Sequence, residues 1–175
     1  MGRNEQAGPR ASGSSGESSE FDRQLLALGK LHFLAGFCPL HRRFPGAGLA
    51  RIFVPAVNAD CVRFFDNEAG QVCAAVIWAR LSDEVSERML FERTPPEAAD
   101  WTGGRNLWFL DILAPFDHGR IVARQIARDP PQEPFYYARM GRTGAARKIV
   151  RGDLRAGARD RVRTFGIAAD GNSVA

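Results

Sequence analysis

The stretch Asn106–Leu113 has the sequence NLWFLDIL, an apolar run broken by a single acid, Asp111. Bulky apolar residues in a run of this length predict a strand that lies in the core. A carboxylate in such a strand is costly unless a partner compensates its charge. One interpretation is a structural ion pair with one of the many arginines. The other is a functional role, in which the carboxylate orients a histidine or stabilises charge that develops in a reaction.

Patterns on both sides of this strand predict further helices and strands. Helical spacing and capping residues predict helices over residues 21–35 (ended by Gly36), 82–92 (capped by Ser82) and 118–128. Strands are predicted over residues 51–57, 61–65, 71–79, 135–140 and 147–150, with turns over residues 66–70 and 141–144. Residues 155–163 predict a basic helix or an irregular segment. This order indicates an α/β (α+β) fold, one domain with a mixed central sheet flanked by helices.

Composition separates a folded segment from two terminal segments. Residues 1–20 are almost wholly Gly, Ser, Glu, Arg, Asn, Gln and Ala, and bury too little apolar surface to offset the backbone entropy lost on folding. We therefore predict a disordered N-terminal tail over residues 1–20, one domain over residues 21–165 and a flexible C-terminal tail over residues 166–175. Hydrophobic residues make up 45% of the 175 residues, which is enough for the core of a single domain.

Charge and cysteine content restrict the class of protein. The formal net charge is +4, and Lys30 and Lys148 are the only lysines, so arginine carries nearly all of the positive charge. Arginine binds carboxylate and phosphate groups in a bidentate geometry, which indicates an acidic partner: a nucleic acid, a membrane or an acidic protein. The three cysteines, Cys38, Cys61 and Cys73, form no C-x-x-C pair, which argues against a disulfide framework and a structural zinc site. Without an apolar signal segment or a run of about 18 apolar residues, the sequence predicts a reduced, cytoplasmic protein with no membrane span.

His41 is the second residue with the chemistry for catalysis. It lies in a loop between Pro39 and Pro45, and the two prolines restrict the backbone around it. An imidazole titrates near neutral pH, so it can accept and release a proton within one turnover. Cys38 and His41 form a C-x-x-H pair that would suit a thiol–imidazole dyad, although a small buried cysteine is the favoured interpretation. A zinc site would need more ligands than the sequence supplies, so no metal is predicted.

Four segments of the chain resemble the RTX-toxin-activating lysine acyltransferases. Residues 39–45 (PLHRRFP) are similar to the family's P-L-H-R-x-W-P stretch, and residues 77–82 (IWARLS) to its S-W-A-x-L-S segment. Residues 100–104 (DWTGG) are similar to its D-W-x-S-G turn. The most specific match is residues 108–116 (WFLDILAPF), which resemble W-F-I-D-W-I-A-P-F. The resemblance extends from about residue 28 to residue 150.

This resemblance implies an activity and a catalytic pair. The family transfers a fatty acyl group from acyl carrier protein to an internal lysine of an RTX protoxin, on a fold similar to the GNAT acetyltransferases. It places the family's essential histidine at His41, as general base, and its essential aspartate at Asp111. No cofactor is implied beyond the acyl group on its carrier. Phe44, Ile52 and Ile112 depart from the family's usual Trp, Asn and Trp, which concerns acyl-chain preference and efficiency more than the reaction type.

The same resemblance implies substrate and partner surfaces. Four residues are candidates for binding the substrate, namely Arg42, Trp78, Trp108 and Phe116. Four arginines are candidates for docking the acidic carrier protein, namely Arg42, Arg43, Arg142 and Arg147. The sequence leaves open whether the protein forms a homodimer.

Three alternatives compete with this interpretation. The chain could be a catalytically degenerate member of the same family. It could instead be a basic module that binds nucleic acid or protein, although it lacks the interleaved aromatic and basic pattern of common RNA-binding modules and any helix-turn-helix signature. An acetyltransferase that uses acetyl-CoA would usually present a glycine-rich pyrophosphate loop before a helix, and the sequence contains no convincing one. Acyl carrier protein is therefore the favoured donor, and nucleic acid is not expected as a partner.

Overall fold

A six-stranded sheet runs through the computed structural model, which describes residues 19–140 and 146–166. The helices are α1 (Glu20–Phe37), α2 (Gly46–Asn58), α3 (Asp83–Glu87) and α4 (Gly119–Arg128). The strands are β1 (Val62–Asp66), β2 (Val72–Leu81), β3 (Asn106–Leu113), β4 (Phe135–Met140), β5 (Ala146–Gly152) and β6 (Val162–Gly166). The predicted tail up to residue 18, the turn over residues 141–144 and the tail beyond residue 166 lie outside the described residues.

The strands follow their order in the chain across the sheet, from β1 to β6. Among the described strands only β3 and β4 run parallel, and α4 makes the crossover that a parallel connection requires. The turn before β2 is fixed by Asn67, whose side-chain oxygen accepts from the N–H groups of Ala69 and Gln71 at 3.0 Å each. The predicted mixed sheet with flanking helices is therefore confirmed.

Strand β2 is the centre of the core because it is buried on both faces. Ala75, Ile77 and Ala79 point to one face, where α1 and α2 cover them together with Trp108 of β3. Val76 points to the other face, where it packs in a smaller cluster with α4. None of the helices in the described residues combines the length and apolar character that crossing a membrane requires.

The predicted strand over residues 51–57 is wrong, because this segment lies inside α2. Its β-branched residues and Pro55 favoured an edge strand, but Leu49, Ile52, Phe53 and Ala56 recur at helical spacing and face the core. The helix begins directly after Pro45, and Pro55 is accommodated within its last turn. Burial of one helical face outweighs the local β preference of these residues.

Two other boundaries differ from the prediction. The first helix does not stop at Gly36 but ends at Phe37, where the N–H of Cys38 donates to the carbonyls of Leu34 and Ala35 and closes the last turn. The predicted helix or irregular segment over residues 155–163 is only partly right. Turns continue to residue 161, and strand β6 then starts at Val162 and pairs with β5. Backbone hydrogen bonds to a neighbouring strand position this segment, and its side chains carry no apolar pattern that would reveal the pairing.

The helix capped by Ser82 is confirmed as α3, with the Val85 N–H donating to the Ser82 hydroxyl at 3.2 Å.

Candidate active site

A tight turn at the end of α1 holds His41 toward the interior. The backbone of Cys38 ends the helix, and a 3-10 turn, His41–Arg43, follows it. The Arg42 N–H donates back to the carbonyl of Cys38 at 3.0 Å, which fixes the path of the loop. As a result the His41 residue is only 6% exposed, while Arg42 and Arg43 remain exposed.

A β-bulge turns Asp111 toward the same side of the sheet as His41. Asp111 pairs with Ile77 of β2. The next residue of β2, Trp78, pairs with Phe109, so Leu110 is an extra residue on β3. Directly paired residues share one face, and Ile77 lies on the face covered by α1 and α2. The bulge therefore places an acid on a face that is otherwise apolar.

The two side chains meet under the end of α1. His41 Nε2 lies 2.8 Å from Asp111 Oδ2 and 3.0 Å from Oδ1. The N–H of Ile112 also donates to Oδ1, at 2.8 Å. The carboxylate is thus satisfied by the imidazole and by one backbone group. The structural alternative of an arginine ion pair does not apply, because no arginine of the described residues lies within 4.0 Å of Asp111.

Cys38 occupies the other side of the imidazole. Its Sγ lies 2.9 Å from His41 Nδ1, and its residue is only partly buried. The sulfur, the ring and the carboxylate therefore form a continuous chain of contacts. The preferred interpretation of Cys38 as a small core residue is wrong, because its thiol faces His41 instead of the hydrophobic core.

The contacts change the protonation of both groups. Burial alone would lower the pKa of His41, but the hydrogen bond and charge of Asp111, with a contribution from Cys38, raise this pKa to about 9. Burial alone raises the pKa of the Cys38 thiol, but its contact with His41 outweighs burial and lowers the pKa below its usual value. The imidazole is therefore mostly protonated at neutral pH, and the thiol ionises more readily than a free cysteine.

Comparison with known proteins gives this site a family. The model of the RTX toxin acyltransferase family matches residues 21–152, a segment that contains the whole constellation. The chain belongs to the RTX toxin acyltransferase family. The predicted family is thereby confirmed, and membership places the chain among the acyltransferases.

Curated relatives of this acyltransferase agree with the assignment. It is 28% identical to the lysine-acyltransferase RtxC of Vibrio cholerae over 58% of this chain and 66% of the relative. It is 31% identical to the protein-lysine myristoyltransferase HlyC of Escherichia coli over 68% of each chain. It is 28% identical to the leukotoxin-activating lysine-acyltransferase LktC of a Pasteurella haemolytica-like species, over 70% of this chain and 74% of the relative. The matched segment thus spans about two thirds to three quarters of these relatives.

Exposed aromatic side chains occur on the segments that carry the polar chain of contacts in this acyltransferase. The Phe37 ring, next to Cys38, lies 5.3 Å from the Phe116 ring and 5.1 Å from the Phe33 ring, measured between centroids. All three rings are at least 49% exposed. The Phe44 ring, 45% exposed, lies 6.3 Å from the His41 ring. An apolar surface of this kind beside a reactive group suits a long hydrocarbon substituent.

The predicted substrate-binding residues divide into two groups. Arg42 and Phe116 lie on the segments that form the site: Arg42 follows His41 in the 3-10 turn, and the Phe116 ring lies beside the Phe37 ring. Trp108 is fully buried, stacks on Tyr136 and donates from Nε1 to the Ser86 hydroxyl at 3.0 Å, so its contacts are those of a core residue.

Trp78 lies on the opposite face of the sheet from His41. It lines a cleft of about 330 Å³ whose other lining residues include Phe109, Arg80 and Glu133. This cleft contains neither His41 nor Asp111. The structure therefore does not bring Trp78 to the candidate active site.

Sequence reasoning missed two features of the site. Phe37 and Phe44 were not identified as site residues, although aromatic residues on both sides of a candidate histidine were a usable signal. The C-x-x-H spacing indicated a contact between Cys38 and His41. A core position was favoured for Cys38 instead, because free cysteine is among the residues most often buried in proteins.

Proposed function

We propose that this chain transfers a fatty acyl group from the thioester of acyl carrier protein to the ε-amino group of a lysine in an RTX protoxin. The observation that carries the proposal is the contact between His41 Nε2 and both oxygens of Asp111, at 2.8 and 3.0 Å. It joins the two sequence segments that most resemble the family. The relatives' names support the acceptor, because they describe lysine acyltransferases, one of them leukotoxin-activating.

The reaction needs a neutral amine, whereas a lysine is mostly protonated at neutral pH. In the proposal, His41 accepts a proton from the attacking amine as general base. Its Nε2–H donates to Asp111, so Nδ1 is the nitrogen that exchanges protons with substrates. General acid–base help of this kind contributes about 10²–10⁴-fold to a rate.

Asp111 has two roles in this proposal. Its hydrogen bond fixes the tautomer and orientation of the ring, and its negative charge stabilises the imidazolium. The elevated His41 pKa of about 9 is the electrostatic consequence of that second role. Because His41 starts the cycle protonated, it can first act as an acid toward the departing carrier thiolate and then serve as the base.

Arginines beside the site suit an acidic carrier protein. Arg42 and Arg43 are exposed on the 3-10 turn, and neither lies within 4.0 Å of a carboxylate of the described residues. Of the other two candidate docking residues, Arg142 lies outside the described residues and the side chain of Arg147 is not described. We therefore assign carrier docking to Arg42 and Arg43 in this proposal.

The test is intact-mass measurement of an RTX protoxin co-expressed with this chain, with its His41→Ala variant, or alone. The expected result is a mass gain of one or more fatty acyl groups that requires the wild-type chain. No mass gain with the wild-type chain in the presence of its cognate protoxin would overturn the proposed function. Full acylation by His41→Ala would leave the activity standing and overturn the role of the imidazole.

A further inference from the structure

The contact between Cys38 and His41 has no role in a mechanism that uses only His41 and Asp111. His41 Nδ1, the nitrogen left free by Asp111, lies 2.9 Å from Cys38 Sγ. Any amine that approaches Nδ1 directly must displace or pass this sulfur. The group best placed to exchange a proton with Nδ1 is therefore the Cys38 thiol.

The order of atoms is that of an activated thiol nucleophile. In such sites one imidazole nitrogen faces the sulfur and the other faces a carboxylate or amide oxygen that orients the ring. Here Sγ faces Nδ1, and Nε2 faces both oxygens of Asp111 at 2.8 and 3.0 Å. Cys61 and Cys73 provide a contrast, since both are buried and no imidazole contacts either sulfur in the described residues.

The dipole of helix α1 opposes a negative charge on the Cys38 sulfur, but its effect is weaker than that of His41. Cys38 directly follows the last residue of α1 as its C-cap, at the negative end of the helix dipole. A helix end changes the free energy of a partly exposed charge only modestly. Direct contact with an imidazolium is the stronger effect, in agreement with the lowered pKa of the Cys38 thiol.

We propose that Cys38 Sγ carries the acyl group as a thioester between acyl carrier protein and the acceptor lysine. This inference rests on the proposed function and assigns it a covalent intermediate. Phe37 directly precedes Cys38, and its ring forms an exposed row with the rings of Phe33 and Phe116. This row offers an apolar surface to the hydrocarbon of the acyl group.

The first half of the reaction exchanges one thioester for another. The Cys38 thiolate attacks the carbonyl carbon of the acyl group, a new C–S bond forms, and the C–S bond to the carrier breaks. The His41 imidazolium gives its Nδ1 proton to the departing carrier thiolate. Both the substrate and the intermediate are thioesters, so the exchange is close to balanced in free energy, and His41 is left neutral.

The second half returns the enzyme to its starting state. The neutral lysine amine attacks the Cys38 thioester, a C–N bond forms, and the C–S bond to Cys38 breaks. Neutral His41 takes the proton that the amine nitrogen releases, and Cys38 leaves as the thiolate. The product is an amide, which is more stable than a thioester, so this half draws the reaction forward.

The experiment is to mix the full chain with acyl carrier protein bearing a fatty acyl thioester, without any acceptor, and to quench in acid. Intact mass should show a gain of one acyl group on the wild-type chain, and neutral hydroxylamine should remove it. Peptide mapping should place the group on Cys38. The gain should be absent from Cys38→Ala and retained in Cys61→Ala and Cys73→Ala, the matched controls.

A second step tests whether the intermediate is competent. The isolated acylated chain, freed of carrier, should transfer its acyl group to added protoxin, and Cys38→Ala should slow protoxin acylation by on the order of 10²-fold or more. The mapping on the wild-type chain needs no variant, so a poorly folded variant would not obstruct the test. Cys38→Ala with a protoxin acylation rate within about twofold of wild type, or an acyl group mapped to another residue, would overturn the relay. Those outcomes leave the proposed function intact, whereas failure of the wild-type chain to acylate protoxin at all would overturn the proposed function itself.

Discussion

His41 and Asp111 are 70 residues apart in the chain, yet Nε2 of the histidine lies within 3.0 Å of both carboxylate oxygens of the aspartate. Two unrelated local features produce this contact, the 3-10 turn after α1 and the bulge at Leu110 in β3. The side chains are 8% and 16% exposed, so their mutual charge is only weakly screened by water. Removing the charge from one partner should therefore have a large effect on the other.

Replacing Asp111 with Asn tests that coupling. The amide oxygen can still accept from Nε2, but the negative charge that raises the pKa of His41 to about 9 is gone. We expect this pKa to fall by more than one unit, and protoxin acylation to slow by about 10²–10⁴-fold. NMR titration of the His41 ring protons and initial rates by mass spectrometry provide the two measurements.

Asp117→Asn is the matched control for this variant. Asp117 is an exposed acid six residues further along the chain, with a left-handed backbone (φ 60°) that Asn adopts readily. It should leave both the His41 titration and the rate unchanged. A full rate for Asp111→Asn would contradict the proposed role of the carboxylate.

The raised pKa of His41 also predicts how stability depends on pH. A group whose pKa is higher in the folded chain (about 9) than its ordinary value in an unfolded chain (6.5) stabilises the fold fully at pH values below 6.5. This contribution, on the order of 3 kcal/mol, should disappear as pH rises from 6.5 through 9. The charged groups that face the ring are Asp111 and the Cys38 thiol.

Urea unfolding of wild type and His41→Gln at several pH values measures this effect. The difference in unfolding free energy between the two proteins should be largest at pH 6 and should shrink steadily toward pH 9.5, about half a unit above the folded pKa. A difference that stays constant over this range would show that His41 does not carry the extra proton in the folded chain.

Trp108 provides a test of a core role against a substrate-binding role. It is fully buried, and its Nε1–H donates to the Ser86 hydroxyl at 3.0 Å. Ser86→Ala leaves this donor without a partner and should lower the unfolding free energy by about 1–3 kcal/mol. The rate per folded molecule should not change with any acyl chain length. A change in chain-length preference at unchanged stability would instead place Trp108 at the substrate.

The sequence predicted the parts of this fold that depend on local patterns. Strand β3 has a continuous apolar run and the hairpin at Asn67 has turn residues. Both signals act over a few neighbouring residues, and both predictions are confirmed. Helix α2 and strand β6 were missed because distant partners decide them. Phe53 and Ala56 are helical because α1 and the sheet bury that face, and β6 exists because β5 offers free backbone groups.

The site was predictable in its residues but not in its arrangement. A lone acid in an apolar strand and a proline-bracketed histidine made Asp111 and His41 candidates, and only the resemblance to the acyltransferase family implied that they act as a pair. Nothing in the sequence predicted the bulge at Leu110, although regular alternation from Trp108 would have turned Asp111 to the other face. The same limit applies to Trp78. Its segment, residues 77–82, resembles the family, but its side chain lies on the opposite face of the sheet from His41.

Charge reversal at Arg42 and Arg43 tests carrier docking. The double variant Arg42→Glu, Arg43→Glu should raise the KM for acyl carrier protein by about tenfold or more, with less effect on the maximal rate. The KM of the wild type should rise with salt concentration, because salt screens the attraction between these arginines and the acidic carrier. The KM of the variant should change less, because it lacks those two favourable charges. Arg159→Glu, Arg161→Glu makes the same charge change next to β6, three strands from β3, and serves as the control. Equal KM values for the two double variants would exclude docking at the 3-10 turn.

The row of exposed rings beside Cys38 makes a final prediction about acyl-chain length. Phe116 is 54% exposed, has a left-handed backbone (φ 65°) and lies beside the Phe37 ring. Its ring therefore forms part of the exposed apolar surface and not of the core. If hydrocarbon lies on this row, Phe116→Ala uncovers about two methylenes, worth about 0.8 kcal/mol each. The kcat/KM for a long-chain acyl carrier protein should then fall about tenfold, while that for a short-chain donor should stay within about twofold. Phe91→Ala removes a still more exposed ring (75%) from the π-helical turn Arg88–Glu92 and should alter neither value. Equal losses for long and short donors would mean that Phe116 supports the loop after β3 and does not contact the acyl chain.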